Sequence, residues 1–485
     1  MTEHEKTTSR RKRLRDMELL RISDPLYELN VVNILQENEI LRSMSKQERR
    51  VKQFIREILN TFEINRLIYL RQAGLAWLVF PSATHTRFAH SIGTLNLGNF
   101  ATDNIYVHVD GENVLLRTYL ETADILEEFL FCLLVHDIGH SPFSFFLEQN
   151  EHLLREGTSS HEELRLEYLS GEGPKYDAMR VKANAHGLKT IFQVIEDYNK
   201  KEGFKALNLG IVKELFGKTE DKKMKALSGL VEGVIDLDRI DNYNRDSYFM
   251  GLKLSNYSIK ELLESIVIEL SPYDGKGNHD PCICIREEGE LHVQQLLFSR
   301  EHLWKKALDI DVIRSYECML NEAVDLVFKE DSDAGKIFLM TDDELMNLIS
   351  LFESSRNSDL LSRIRTRRPY VVAFNKKLTL DKDEKETRRK IRNIFDTWKT
   401  ENKFERSEFI LNIPPKFGET ESQWLDVFIK SDYELKTMRD KYENLISHFN
   451  RQNMMRRNTI RIFARDNEIL DNHEKELDDL ENALN

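Results

Sequence analysis

The sequence predicts a mainly α protein: a helical core, a small β-hairpin and a smaller C-terminal α+β lobe. Three observations carry this. Apolar residues recur at three- and four-residue intervals over most of residues 45–265, the period of a helix with one buried face. Near residue 280 the period shortens to two, as in a strand. After residue 330, short β-branched and aromatic runs alternate with charged helical stretches.

Each element follows in order. Residues 1–18 carry "SRRKRLRD" without apolar periodicity and read as a flexible basic arm. The helical domain is expected over 19–330 and the α+β lobe with an acidic tail over 331–485. "RRVKQFIREILNTFEINRLIYLRQAG" has helical spacing and ends at Gly74. "LETADILEEFLFCLLVHDIGH" reads as one helix, apolar nearly all round in its second half and so buried, with Gly139 and Pro142 ending it. "SGEGPKYDAMRVKANA", residues 170–185, reads as a loop. "ALSGLVEGVIDLDRIDNYNRDSYFMG" reads as a further helix. "CICIREEGELHV" predicts a hairpin about a Glu-Glu-Gly turn. Strands are expected at "YVVAFN", "FILNIP", "WLDVFI" and "TIRIFAR".

Composition narrows the class. With 485 residues, 40% hydrophobic and 32% charged, the chain can bury a large core. A net charge of −13 argues against a general nucleic-acid coat, which needs a basic face. No run reaches the length of a membrane span, and the polar N-terminus is unlike a signal peptide, so a cytoplasmic protein is expected. Cys132, Cys282, Cys284 and Cys318 make no disulfide framework. Cys282 and Cys284 alternate along a strand and point the same way; they read as buried thiols rather than a metal site.

The chemistry sits in an ordered set: His90, then His136-Asp137, then Asp238. Taken alone, each histidine reads as a hydrogen-bonded core residue. Together, two imidazoles and two carboxylates on three helical segments can hold one divalent cation and leave positions open for water and substrate. This mixed donor set suits Mn, Fe, Mg or Zn, with Mn or Fe favoured. Arg87 lies one turn before His90 and suits a phosphate oxygen. His140 follows His136 by four residues. His161-Glu162 opens a helix with Ser160 as its cap and suits acid/base work. Arg239, and Arg245 with Asp246, are further candidates. His186 reads as a cap or surface residue.

In order and spacing, "RLIYLRQAG", "VFPSATHTRFAHSIGT", "VHDIGHSPFSFFLE", "SHEE", "DLDRIDNYNRDSYFMGL" and "LFSREHLWKKAL" resemble the deoxynucleoside triphosphate triphosphohydrolase branch of the HD superfamily of metal-dependent phosphohydrolases. The resemblance covers roughly residues 20–330. It implies that His90, His136, Asp137 and Asp238 ligate the metal. Arg87, His140 and His161 would surround the α- and β-phosphates, with Glu162 supporting His161. Gln72 and Asp246 would meet the sugar 3′-hydroxyl, Arg300 would contact substrate, and Arg239 would replace a phosphate-binding lysine. It further implies a homo-oligomer, from dimer to hexamer, and a nucleotide activator. Nucleic acid is the less favoured partner, with the basic arm and "RQNMMRRNTIR" as its only footholds.

The departures are specific. Phe145 stands where the family supplies a histidine as proton donor to the leaving group. Asn242 and Leu308 stand where two tyrosines pack the deoxyribose. Asn60, Asn65 and Ile68 stand where an aspartate, a glutamine and an arginine read a guanine nucleotide activator. The alternative function is therefore a nucleotide-sensing or nucleic-acid-binding protein with lost turnover, or a nucleotidase or phosphodiesterase using the same metal.

Overall fold

The structure, a computed structural model, describes residues 26, 46–144, 147, 160–201, 206–254, 257–271, 280–328, 334–356, 358–377, 384–413, 427–430, 435–438, 440–443 and 459–484. The basic arm, Phe145 and most of "RQNMMRRNTIR" lie outside these residues.

The architecture is mainly α. Helix α1 (Lys46–Leu59) buries Phe54, Ile55 and Ile58 on one face and is followed by the short α2 (Phe62–Leu67). Asn60 and Asn65 end α1: the Asn60 amide donates to the Arg56 carbonyl, and the Asn65 amide donates to the Leu59 and Thr61 carbonyls. Helix α3 (Arg87–Asn104) starts where the Thr86 hydroxyl accepts from the Ala89 N–H. Strands β1 (Tyr106–Val109) and β2 (Glu112–Leu115) then form a hairpin. Its turn residues, Asp110 and Gly111, both have positive φ (52° and 84°), as a two-residue primed turn requires.

The single helix expected over 120–140 is broken. A short helix, Leu116–Thr122, stops at Asp124, whose φ is +57°, and α4 (Leu126–Val135) runs on to His136. Every residue of α4 is buried. Gly98 of α3 lets it approach closely, since a Cβ there would lie 2.1 Å from a Leu133 methyl. Helix α5 (His161–Ser170) opens with a capping box of Ser160 and Glu163. Residues 170–185 are not a loop: after Gly171 and Gly173, Pro174 starts α6 (Pro174–Ala185), because a proline at the first helical position sacrifices no hydrogen bond. The helix expected over 226–251 is also split. It begins afresh as α7 (Leu237–Phe249), where the Asp236 carboxylate accepts from the Arg239 N–H.

The hairpin expected at 282–293 is not formed. After β3 (Ile266–Glu269), strand β4 (Cys282–Arg286) pairs antiparallel with β3, and the Glu-Glu-Gly segment leads directly into α8 (Glu290–Leu303). The alternation in "ELHV" was too short to outweigh the helical run that follows. A π-helical turn (Trp304–Leu308) joins α8 to α9 (Asp311–Phe328), and α10 (Asp342–Arg356) follows.

The strands expected in the C-terminal part form as β5 (Val371–Lys377), β6 (Phe409–Asn412), β7 (Phe428–Lys430) and β9 (Thr459–Ala464), with α11 (Glu384–Glu401) between β5 and β6; β8 (Leu435–Thr437) was not foreseen. Two sheets result, with orders β2-β1-β3-β4-β7-β8 and β5-β9-β6. The first joins strands from both halves of the chain. The main core runs through the helices and the first sheet. A second core packs Phe395 and Trp398 of α11 against Phe409, Ile460 and Ile462 and against Leu477 and Leu480 of α12 (Glu474–Ala483).

Candidate metal centre

Three helices meet at one point. Helix α3 supplies His90, the end of α4 supplies His136 and Asp137, and α7 supplies Asp238. The His90 Nε2 lies 2.8 Å from Asp238 Oδ1 and 3.1 Å from the His136 Nε2, and the His136 Nε2 lies 3.7 Å from Asp238 Oδ1. Their ligand atoms all fall within 4.8 Å of one another. Both rings turn Nε2 inward because Nδ1 is engaged behind. The His136 Nδ1 is 2.9 Å from the Leu133 carbonyl, and the His90 Nδ1 is 2.6 Å from Asp241 Oδ2. An imidazole anchored through one nitrogen, with the other aimed at a shared point, is the arrangement a metal ligand requires. The residues present therefore fit a divalent cation.

Asp137 sits beside this group, 3.5 Å from the His136 Nε2 and 3.8 Å from the His90 Nε2. Arg87 donates to it at 2.6 Å and also donates to the Ser144 hydroxyl at 2.9 Å. The His140 Nε2 approaches Asp137 at 3.2 Å, and the His140 ring stacks on His161 at 3.9 Å between centroids. Glu162 lies 3.2 Å from the His161 Nε2. Asp238 is 34% exposed, whereas His90 and His136 are 1% and 6% exposed, so solvent reaches the group from the Asp238 side.

The electrostatics follow from burial and charge pairing. Burial opposes a proton on His90, but its bonds to Asp238 and Asp241 outweigh this and lift it to about 10. Burial keeps His136 below its ordinary value. Burial also opposes the Asp238 charge, yet His136 and His90 hold its carboxyl down near about 2. Arg87, with His136 and His140, likewise overcomes burial and holds Asp137 well below the usual carboxylate range. The site is thus rich in ionised carboxylate, and a proton on His90 sits where a cation would compete for it.

The other expected residues are dispersed. Gln72 is buried; its backbone N–H donates to the His85 carbonyl, while its side-chain oxygen has no hydrogen-bond partner among the described residues. Asp246 is 2.6 Å from the His85 Nε2. Arg239 turns back on its own loop and donates to the Gly233 and Val234 carbonyls. Arg300 is half-buried on α8, and its charge is felt by the buried Tyr243 phenol. Asn242 and Leu308 are both half-buried. His186 stacks on Phe62.

Several supporting contacts escaped sequence reading, and Arg245, a candidate for substrate, is used structurally instead. Arg245 grips Asp241 through two 2.8 Å bonds, which fixes the carboxylate that orients His90. The signal was available: Asp241 and Arg245 lie one turn apart on α7, the spacing of a helical ion pair. Gly93 leaves room for that pair, since a Cβ would fall 2.1 Å from both partners. Gly139 lets α5 dock, since its Cβ would lie 2.0 Å from the His161 carbonyl oxygen. Arg165 donates to the His136 carbonyl at 3.0 Å. Phe143 and Ser144 hold φ of 53° and 64°, and Asp342 of α10 accepts from the Phe143 N–H at 2.7 Å and the Arg71 N–H at 3.0 Å. Nothing local in the sequence marked Asp342.

No family model matches the chain. A putative HD domain-containing protein of Acanthamoeba polyphaga mimivirus is 25% identical over 318 residues, 62% of each chain. The deoxynucleoside triphosphate triphosphohydrolase SAMHD1 homolog of Dictyostelium discoideum is 24% identical over 347 residues, 69% of this chain and 59% of that protein. Among solved structures, a phosphohydrolase of Bacteroides thetaiotaomicron superposes with a TM-score of 0.59 at 18% identity, covering 92% of this chain and all of that one. The chain spans 54% to 62% of the length of four such curated relatives. No described helix is long and apolar enough to cross a membrane. The ordered His, His-Asp, Asp set and the helical fold that gathers it are thus similar to what a relative named as an HD domain-containing protein and others named as dNTP triphosphohydrolases would need.

Proposed function

We propose that the chain hydrolyses nucleotide phosphate esters with one divalent cation, and that its leading substrate is a deoxynucleoside triphosphate, split into deoxynucleoside and triphosphate. One observation carries this: His90, His136 and Asp238 converge on a point that is bordered by Arg87, His140 and His161. Bound there, a cation supplies Lewis acidity, neutralising phosphate charge and acidifying water. Arg87 holds Asp137 and presents a buried positive charge to the phosphates. The stacked His140 and His161 offer proton transfer at the phosphate and leaving oxygens, with Glu162 setting the His161 orientation. The unpartnered Gln72 oxygen suits a sugar hydroxyl, and Asp246 lies on the helix that carries Asp238. Mn or Fe is the favoured ion. The relatives named for dNTP triphosphohydrolysis support the substrate class.

Phe145 cannot protonate a leaving group, and Asn242 and Leu308 cannot pack a sugar as tyrosines do. These three positions favour a second reading, a nucleotidase or phosphodiesterase, or nucleotide binding without turnover. A homo-oligomer and a nucleotide activator are further parts of the proposal; Asn60 and Asn65 already cap α1, so an activator would be read through other contacts. The deciding experiment incubates the chain with a nucleotide panel and Mn²⁺, Fe²⁺, Mg²⁺ or Co²⁺ and separates products by chromatography. Triphosphate and deoxynucleoside support the leading reaction. Monophosphate cleavage or diester cleavage supports the second, and no consumption with any metal ends the enzyme reading.

A further inference from the structure

The face of the first sheet carries two free thiols close together. Cys282 and Cys284, alternate residues of β4, have Sγ atoms 3.6 Å apart. Cys282 is half-buried and Cys284 buried, so the pair has one solvent-facing side. Cys282 is paired across the ladder with Glu269 of β3, and Glu269 with His108 of β1. Side chains at paired positions share a face. Glu269 is fully buried, 2.7 Å from the His108 Nδ1 and ion-paired with Lys430 of β7.

The spacing of the thiols is informative. For a zinc–sulfur distance of about 2.3 Å, sulfurs 3.6 Å apart subtend about 100° at the ion, near the tetrahedral angle. No backbone movement is needed. A disulfide instead requires the sulfurs to close to roughly 2.05 Å, from alternate residues of an extended strand whose Cα separation lies at the upper limit for bridging. Charge agrees as well. Two thiolates and Glu269, less the Lys430 ammonium, leave two negative charges, which a divalent ion neutralises.

We propose that Cys282 and Cys284 chelate a soft divalent cation of the zinc class, separate from the His-Asp centre, on the sheet between the two halves of the chain. Binding replaces two S–H bonds by two metal–sulfur bonds and releases two protons, with no change in oxidation state. Glu269, across the ladder from Cys282, is itself neutralised by Lys430, and water completes the coordination. Among the described residues only His90, His136 and Asp238 gather three donors within 4.8 Å, so the thiol site is the weaker and more exchangeable of the two.

Cadmium titration of the reduced full chain tests this, because a cadmium–thiolate bond gives an ultraviolet charge-transfer band that the His-Asp centre lacks. The expected result is that band, developing after the His-Asp centre has filled and saturating with one thiolate-bound ion per chain, two protons being released as it develops. Cys282→Ser and Cys284→Ser should each abolish it, while His136→Ala leaves it intact. Thermal melting confirms that the serine variants are folded; should one not fold, Cys282→Ala serves in its place. Absence of the band in the reduced chain, or its persistence in both folded cysteine variants, overturns the proposal. So does a Cys282–Cys284 disulfide, found by mass spectrometry, that persists under reducing conditions and excludes cadmium.

Discussion

Asp241 shows how one residue controls the centre without standing at its front. Its carboxylate fixes the His90 ring through Nδ1 and is itself fixed by Arg245. Asp241→Asn should lower divalent metal affinity on the order of 10- to 100-fold, the usual effect of removing such a partner; isothermal titration checks this, and unchanged affinity would show that His90 is oriented by other contacts. Asp342 gives a pH signature. Burial raises its carboxyl from 3.8 to about 6 despite its bonds to two backbone N–H groups. The folded chain therefore holds this proton more tightly than the unfolded chain, so stability falls as pH rises from about 4 to about 6. The shift corresponds to about 3 kcal/mol at most. Asp342→Asn should make denaturant midpoints fall less steeply across that window, the remaining slope coming from other buried carboxyls such as Glu63 and Glu317. An unchanged slope would mean that Asp342 ionises as freely in the folded chain as in the unfolded one.

At the level of elements, two glycines decide how closely the helices meet. Gly93→Ala drives a methyl into the Asp241–Arg245 pair, and Gly139→Ala drives one into the start of α5. Each should destabilise the chain by roughly 1–3 kcal/mol, the usual cost of overpacking. Gly139→Ala should in addition separate His140 from His161 and lower kcat more than it raises KM. Chemical denaturation and steady-state kinetics measure both; a neutral Gly139→Ala would mean that α5 docks with slack. The elements also mark where the sequence was legible. The apolar run of α4, the Ser160 cap of α5 and the short strands of the C-terminal part were readable because each rests on local periodicity or a capping residue. The breaks at Asp124 and before Leu237 were not, because each interrupts an otherwise helical pattern at a turn that tertiary packing selects. The Asp110-Gly111 hairpin carried a readable turn pair that went unread, while "CICIREEGELHV" suggested a hairpin where β4 takes β3 and β7 as partners instead.

Across the whole molecule, the site depends on segments far apart in the chain. Asp342 reaches back to hold the Phe143–Ser144 turn in a left-handed conformation, which carries a cost of order 1–3 kcal/mol for each such residue. Ser144 in turn holds Arg87. The order His90, His136-Asp137, Asp238 was legible because those residues sit at helix ends or on apolar helices, but the third dimension supplied what a linear reading lacks: the Asp241–Arg245 clamp, the His140–His161 stack and the Asp342 tie. Arg239 shows the converse, a plausible phosphate ligand by position that the fold directs to its own loop. The central claim is that nucleotide hydrolysis runs on one cation held by this ordered set. The most direct measurement strips the chain of metal and restores Mn²⁺ stepwise, following nucleotide consumption in parallel with Asp238→Ala. The account predicts that activity is absent without metal, returns in proportion to one ion at the His-Asp centre, and does not return in the variant. Hydrolysis that persists without metal, or that Asp238→Ala recovers in full, would contradict it.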